Sequence, residues 1–317
     1  MDRNLTLEAV RLTEAAALYA SRFMGKGNEE LSFSSAAEAM TKVLATMDID
    51  GEIVIGTGQS PESMLNDGLR VGNLHGPQLD LAVKPLDGRR TCAKGGLNSI
   101  SIIAVGDKGS FFQTPAVYME KIAVGKSVKG VVDINQNVEV NIKRVARAKG
   151  RYIDDITVCV LDRDRNAKYI DEIRKTGAKI RYITDGDISG AVSTAFEESS
   201  IDILMGIGGA KESVLAAAAL KCLDGDMQSR FVYTNDREKA LIEKITDGTP
   251  DRIYTISDLV RGNDVMVAVT GITDGVLLPG VRYFSGGAET NSILLRQKTH
   301  TLRFIRAIHY FDYKPIF

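Results

Sequence analysis

The chain has 317 residues, of which 44% are hydrophobic and 26% charged, and a net charge of -1. That is the composition of an ordinary globular protein with two domains or one large one. It gives no excess of basic residues for nucleic acid or an anionic membrane, and 6% aromatics without tryptophan make no base-stacking platform.

In chain order, Leu5, Ala9, Leu12, Ala16, Tyr19 and Phe23 recur at three- and four-residue steps, so residues 5–24 predict an amphipathic helix ended by Gly25-Lys-Gly27. A second helix is expected from Ser35, with Glu38 completing a capping box, to about Met47. Gly51–Gly56 and Leu79–Val83 read as strands, and 99–105 and 110–112 continue the sheet. The pattern changes near Asp155. Strands at 156–161, 179–183 and 201–205 alternate with helices at 166–176, 189–197 and 212–222, which predicts parallel βαβ units. Strand-like runs return at 265–270 and 292–295. The expected domains are therefore 1–155 and 156–317.

Cys92, Cys159 and Cys222 are odd in number, far apart and form no CxxC, as expected of reduced thiols in a cytoplasmic protein. No signal peptide is read at the N-terminus, and apolar stretches fall short of the roughly 18 residues of a membrane span. His75, His300 and His309 are scattered without metal-ligand spacing, and His309, in an apolar segment, reads as a packed core residue.

The run Lys84-Pro-Leu-Asp-Gly-Arg-Arg90 resembles the Asp-Pro-(Ile/Leu)-(Asp/Glu)-Gly-Thr motif of the lithium-sensitive, magnesium-dependent sugar phosphatases. The resemblance extends along the chain to class II fructose-1,6-bisphosphatase. It is carried by Arg11–Ala17, Asp50–Gly56, Ala104–Gly109, Tyr118-Met-Glu-Lys121, Asp185-Gly-Asp187, Gly206-Ile-Gly-Gly-Ala-Lys-Glu212, Leu223–Met227, Thr270–Thr273 and Ile308-His-Tyr310. It implies an α/β fold, with an α+β N-terminal part, arranged as a layered αβαβα sandwich of two domains. It also implies a homodimer or homotetramer.

The resemblance implies catalytic positions too, and most are substituted. The family's metal-bridging Asp is met by Lys84 and its water-positioning Thr by Arg89. An early helix Asp is met by Phe33, a loop Lys by Glu29, the Gly-Glu-Gly-Glu loop by Gly56-Thr57-Gly58-Gln59, and a further Asp by Pro61. Only Asp87 and Glu212 stay acidic, and two separated carboxylates beside a lysine are a poor magnesium site. No metal or other cofactor is therefore expected. On the substrate side the resemblance assigns sugar-phosphate contacts to Arg163, Arg165, Tyr118, Asp185 and Asp187. Lys84, Arg89 and Arg90 stand ready to neutralise a second phosphate.

Plainer readings stand beside these. Lys84, Arg89 and Arg90 read equally as ion pairs with Asp87 and Glu212, and Arg163 and Arg165, alternating with Asp162 and Asp164, as a solvated loop. Asp185-Gly-Asp187 is by itself a turn signal. Gly206-Ile-Gly-Gly209 reads either as a phosphate-cradling turn before a helix or as tight packing. The leading expectation is a sugar-phosphate-binding pseudophosphatase, a regulator or a subunit beside an active paralogue. One alternative is an active bisphosphatase using Mg2+ or Mn2+ at a site rebuilt from Asp80, Asp87, Glu62 or Glu212. Another is Schiff-base aldolase or isomerase chemistry on Lys84.

Overall fold

The computed structural model describes residues 3–58 and 64–313. Helices α1 (Arg3–Ser21) and α2 (Glu29–Leu44) open the chain, followed by strands β1 (Asp50–Ile55), β2 (Arg70–Val71) and β3 (Gln78–Asp87). Next come the short helix α3 (Arg89–Lys94), β4 (Ile100–Asp107), β5 (Tyr118–Val124) and α4 (Val138–Lys149). The middle of the chain runs β6 (Thr157–Leu161), α5 (Ala167–Thr176), β7 (Lys179–Ile183), α6 (Asp187–Ser193), β8 (Ile203–Gly209) and α7 (Ala210–Cys222). After it come β9 (Asp226–Val232), α8 (Asp236–Ile245), β10 (Ile253–Thr255) and α9 (Ile256–Leu259). Strands β11 (Met266–Gly271), β12 (Arg282–Phe284), β13 (Gly287–Arg296) and β14 (Thr301–Tyr310) close it. The fold is α/β, as expected. Among the described residues no helix is long and apolar enough to cross a membrane.

Contacts divide the chain into two units, one of Met1–Phe111 with Gly262–Phe317 and one of Phe112–Arg261. The boundary expected near residue 155 falls inside the second unit. The change of pattern there marks the first parallel strand, β6, but the same sheet also takes β5 from before it. The final strands belong to the sheet of the first unit.

In the first unit the sheet runs β12-β13-β11-β4-β3-β1-β2, with β14 pairing along β13. Only β1 and β3 pair in parallel among its described strands. Helices α1 and α2 cover one face, where Leu12, Ala16, Met40, Leu81 and Ile103 are fully buried. Each of these side chains except that of Ala16 contributes about 1.5–3 kcal/mol. Ala20 rather than Tyr19 continues the buried stripe of α1, and Tyr19 is exposed. Helix α2 starts at Glu29, not Ser35, because Asn28 caps it: its Oδ1 accepts from the Leu31 amide at 2.8 Å. The run 110–112 holds only an isolated bridge at Phe111. The buried carboxylate of Asp80 accepts the Gly109 and Ser110 amides at 2.8 and 3.1 Å and turns the chain away there.

In the second unit the sheet runs β10-β9-β5-β8-β6-β7. Strands β6, β7 and β8 are parallel, as the alternating pattern predicts, while β5 is antiparallel to both β8 and β9. Helices α4 and α5 cover one face over Ile122, Val158, Val160 and Ile203. Helices α6 and α7 pack on β5, β6, β8 and β9. Strand β8 extends to Gly209, so the glycine run is the end of a strand and not a separate turn. Helix α6 stops at Ser193, four residues before the expected end.

The arrangement brings the carboxyl ends of three parallel strands to one sheet edge. Segments 162–166 and 184–187 leave the sheet there, β8 ends there with residues 206–209, and β5 enters the sheet at Tyr118, directly opposite Gly209. Open sheets with parallel strands bind ligands at this edge.

Candidate functional site

The first unit carries the substituted motif on the last residues of β3. Pro85, which has no amide to donate, sits where the register of β3 against β4 shifts, between Lys84 and Asp87. Gly88 follows at φ 86°, and a Cβ there would lie 2.8 Å from Ser99 Oγ, whose hydroxyl donates to the Gly88 carbonyl at 2.9 Å. The turn presents Lys84 beside Asp87, with Nζ 3.8 Å from Oδ1 and side chains 25% and 4% exposed. The guanidinium of Arg89 lies over the Phe33 ring, 3.1 Å from its centroid. Arg89, at the position of the water-positioning Thr implied by the resemblance, is thus packed on Phe33, at the position of the implied early helix Asp. Arg90 is exposed.

The second unit gathers the remaining substrate-side candidates at its sheet edge. The Arg165 guanidinium stacks over Tyr118 at 4.5 Å from the ring centroid, and its Nε donates to the Ile207 carbonyl at 3.0 Å. Asn166 ties the same loop to β8, with its Oδ1 accepting the Ile207 amide at 2.7 Å and its Nδ2 donating to the Leu161 carbonyl at 3.1 Å. Arg163 is half-buried, with Nη1 donating to the Asp162 carbonyl at 3.2 Å. Asp185 is half-buried in the turn before α6, and Asp187 is buried as the first residue of that helix. Glu212 lies in the first turn of α7, the end at which a helix favours an acid, close against the Gly209 backbone.

Lys121 received no role from the sequence. Its Nζ donates to Asp187 Oδ2 at 2.7 Å and to the Gly209 carbonyl at 3.1 Å, and its side chain is 2% exposed against 6% for Asp187. A signal was present: on β5, Lys121 shares a face with Met119 and Ala123, both buried, and a lysine on such a face requires a partner.

The divalent cation implied by the resemblance does not fit the described residues. No group of three or more His, Cys, Asp and Glu side chains among them is placed to hold one. Lys84 puts an ammonium beside Asp87, and Asp80 is committed to its backbone amides, where burial holds its carboxyl above the usual range. Gln59, Pro61 and Glu62 lie outside the described residues. His309 is buried with Nε2 2.8 Å from Thr290 Oγ1, as a packed core histidine would be.

Comparison with known proteins agrees along the whole chain. The profile of the family described as "Bacterial fructose-1,6-bisphosphatase, glpX-encoded" matches residues 3–309. "Fructose-1,6-bisphosphatase class 2" of Haemophilus influenzae is 40% identical over 98% of both chains. "D-fructose 1,6-bisphosphatase class 2/sedoheptulose 1,7-bisphosphatase" of Synechococcus elongatus is 36% identical, again over 98% of both. With the fold, the motif order and these matches in agreement, the chain belongs to the glpX-encoded, class II fructose-1,6-bisphosphatase family.

Proposed function

We propose that this chain binds a sugar phosphate at the sheet edge of its second unit and has lost the family's metal-dependent phosphate-ester hydrolysis. The observation that carries the reading is the state of the substituted positions. Lys84 pairs with Asp87, and Arg89 packs on Phe33, so residues standing at positions of the family's hydrolytic apparatus engage one another. Phosphate-ester attack through a metal needs an ion to generate hydroxide and to neutralise the transferring phosphoryl group. An ammonium 3.8 Å from Asp87 opposes a cation there.

The binding half of the reading rests on Arg165 and Arg163, whose planar forks suit phosphate oxygens. Tyr118 and the main chain hold Arg165 in place. Asp185 and Asp187 offer acceptors for sugar hydroxyls. Fructose 1,6-bisphosphate and sedoheptulose 1,7-bisphosphate, the substrates in the relatives' names, are the first ligands to try. The proposed setting is a cytoplasmic metabolite-binding protein, a regulator or a subunit beside an active paralogue.

The test measures phosphate release from fructose 1,6-bisphosphate with magnesium, with manganese and with chelator, using Glu212→Ala as the control for contaminating phosphatase. Calorimetry on the same preparation reads binding. The reading expects saturable binding indifferent to chelator and no release above the control. Metal-dependent turnover that Glu212→Ala abolishes would instead establish a rebuilt metal site. An adduct on Lys84 trapped by borohydride would point to Schiff-base chemistry.

A further inference from the structure

We infer that Lys121 is a positioning residue that fixes Asp187 as an acceptor for ligand hydroxyls, and so sets selectivity for a sugar over a bare bisphosphate. The inference rests on the sugar-phosphate reading above and assigns a role within that site. Three observations carry it. The Lys121 ammonium contacts Asp187 Oδ2 at 2.7 Å and the Gly209 carbonyl at 3.1 Å, so one side chain joins segments 184–187 and 206–209. Gly208 also lies against the pair: a Cβ there would overlap Asp187 Oδ2 and lie 3.0 Å from Lys121 Nζ. Both side chains of the pair are buried, so the geometry is set by packing and not by solvent.

A buried ion pair is a weak source of net stability, because desolvating both charges offsets their attraction. What it supplies here is a fixed carboxylate. Oδ2 is held by Nζ and confined by Gly208, so the rotation of Asp187 about its own side-chain bonds is stopped, which sets the direction in which Oδ1 accepts. A hydroxyl donor in the ligand gains from that alignment. A phosphate group gains nothing from a carboxylate, and its partners are the forks of Arg163 and Arg165. Lys121 therefore acts on the hydroxyl-bearing part of a ligand and leaves its phosphate ends alone.

Calorimetry with two probes separates these roles. Fructose 1,6-bisphosphate carries hydroxyls and two phosphates, and hexane-1,6-diol bisphosphate carries the phosphates alone. Wild type is expected to favour the sugar by about tenfold, the scale of one hydrogen bond to a charged acceptor. Lys121→Met is expected to lose that preference while its affinity for the hexanediol compound stays within about twofold of wild type. Gly208→Ala, which displaces Asp187 while keeping Lys121, is expected to do the same, and Lys121→Arg to recover part of the preference. Circular dichroism before each titration confirms that the variants are folded.

Equal weakening toward both probes in a folded Lys121→Met would show a general scaffold role and overturn the inference. A preserved sugar preference in Lys121→Met and Gly208→Ala would overturn it as well. Failure of wild type to bind either probe would overturn the sugar-phosphate reading itself, a different result from either of these.

Discussion

Each unit contains a lysine–aspartate pair at its candidate positions, and the two pairs are built differently. In the first unit Lys84 and Asp87 are three residues apart on one strand, 3.8 Å from each other, with the lysine 25% exposed. In the second, Lys121 and Asp187 are 66 residues apart, 2.7 Å from each other and buried. The first pair is what local sequence delivers when a lysine stands three residues before an acid on one strand. The second requires the sheet to form before its members meet, and it ties the start of α6 to the end of β8, which no local contact would align. Proximity in sequence thus accompanies the looser pair, and the tertiary fold supplies the tighter one.

Breaking the second pair should produce the largest effect. Removing one charge, as in Lys121→Met, leaves Asp187 buried without its partner and is expected to cost about 3–5 kcal/mol, within what a domain of ordinary stability survives. Adding Asp187→Asn should return part of that loss, because no uncompensated charge then remains. Urea midpoints of wild type, single and double variants read the difference, and a double variant less stable than the single would contradict the account. The same experiment on the first pair should give much less. Lys84→Met is expected to cost less than Lys121→Met, since a contact of 3.8 Å with the lysine a quarter exposed is weaker than a buried one of 2.7 Å. A loss as large as that at Lys121 would make the two pairs equivalent.

A third ion cluster, distant in sequence from both motifs, sharpens the comparison with a pH signature. Glu289 is held by Arg306 and Arg282, with Arg306 the larger influence, and its carboxyl is lowered to about 2. A carboxylate lowered by folding contributes stability that is present above its ordinary value near 4.5 and is lost as pH falls through about 2. Glu289→Gln should therefore lower the thermal midpoint modestly at pH 6, and the gap to wild type should close between about pH 4.5 and 2. A gap unchanged at pH 2 would show that these arginines contribute nothing through the charge.

The sequence made the α/β class, the parallel strands β6 to β8 and the substituted motif legible, because each rests on a local pattern. Alternation of strand and helix marks βαβ units, and Lys84-Pro-Leu-Asp87 is contiguous. What it hid depends on long-range pairing. Strand β5 has Glu120 and Lys121 in its middle, and its pairing with β8 and β9 is set from 79 or more residues away. The return of β11 to β14 to the first sheet has no local marker, so the expected boundary fell in the wrong place. Asn28 outcompeted the apparent capping box at Ser35 because a cap is chosen by where the first turn packs. The stack of Arg89 on Phe33 joins two helices and leaves no trace in the spacing of either residue.

The three thiols carry one more consequence. All are buried, and desolvation pushes Cys92 up to about 11 and Cys159 up to about 12. At neutral pH the reactive thiolate at these two positions is scarce in the folded chain and becomes available when the surrounding core opens. Cys92 belongs to the first unit and Cys159 to the second. The protein therefore holds a built-in clock for the opening of each unit, protected from electrophiles and mild oxidants while folded and reporting the loss of either core separately.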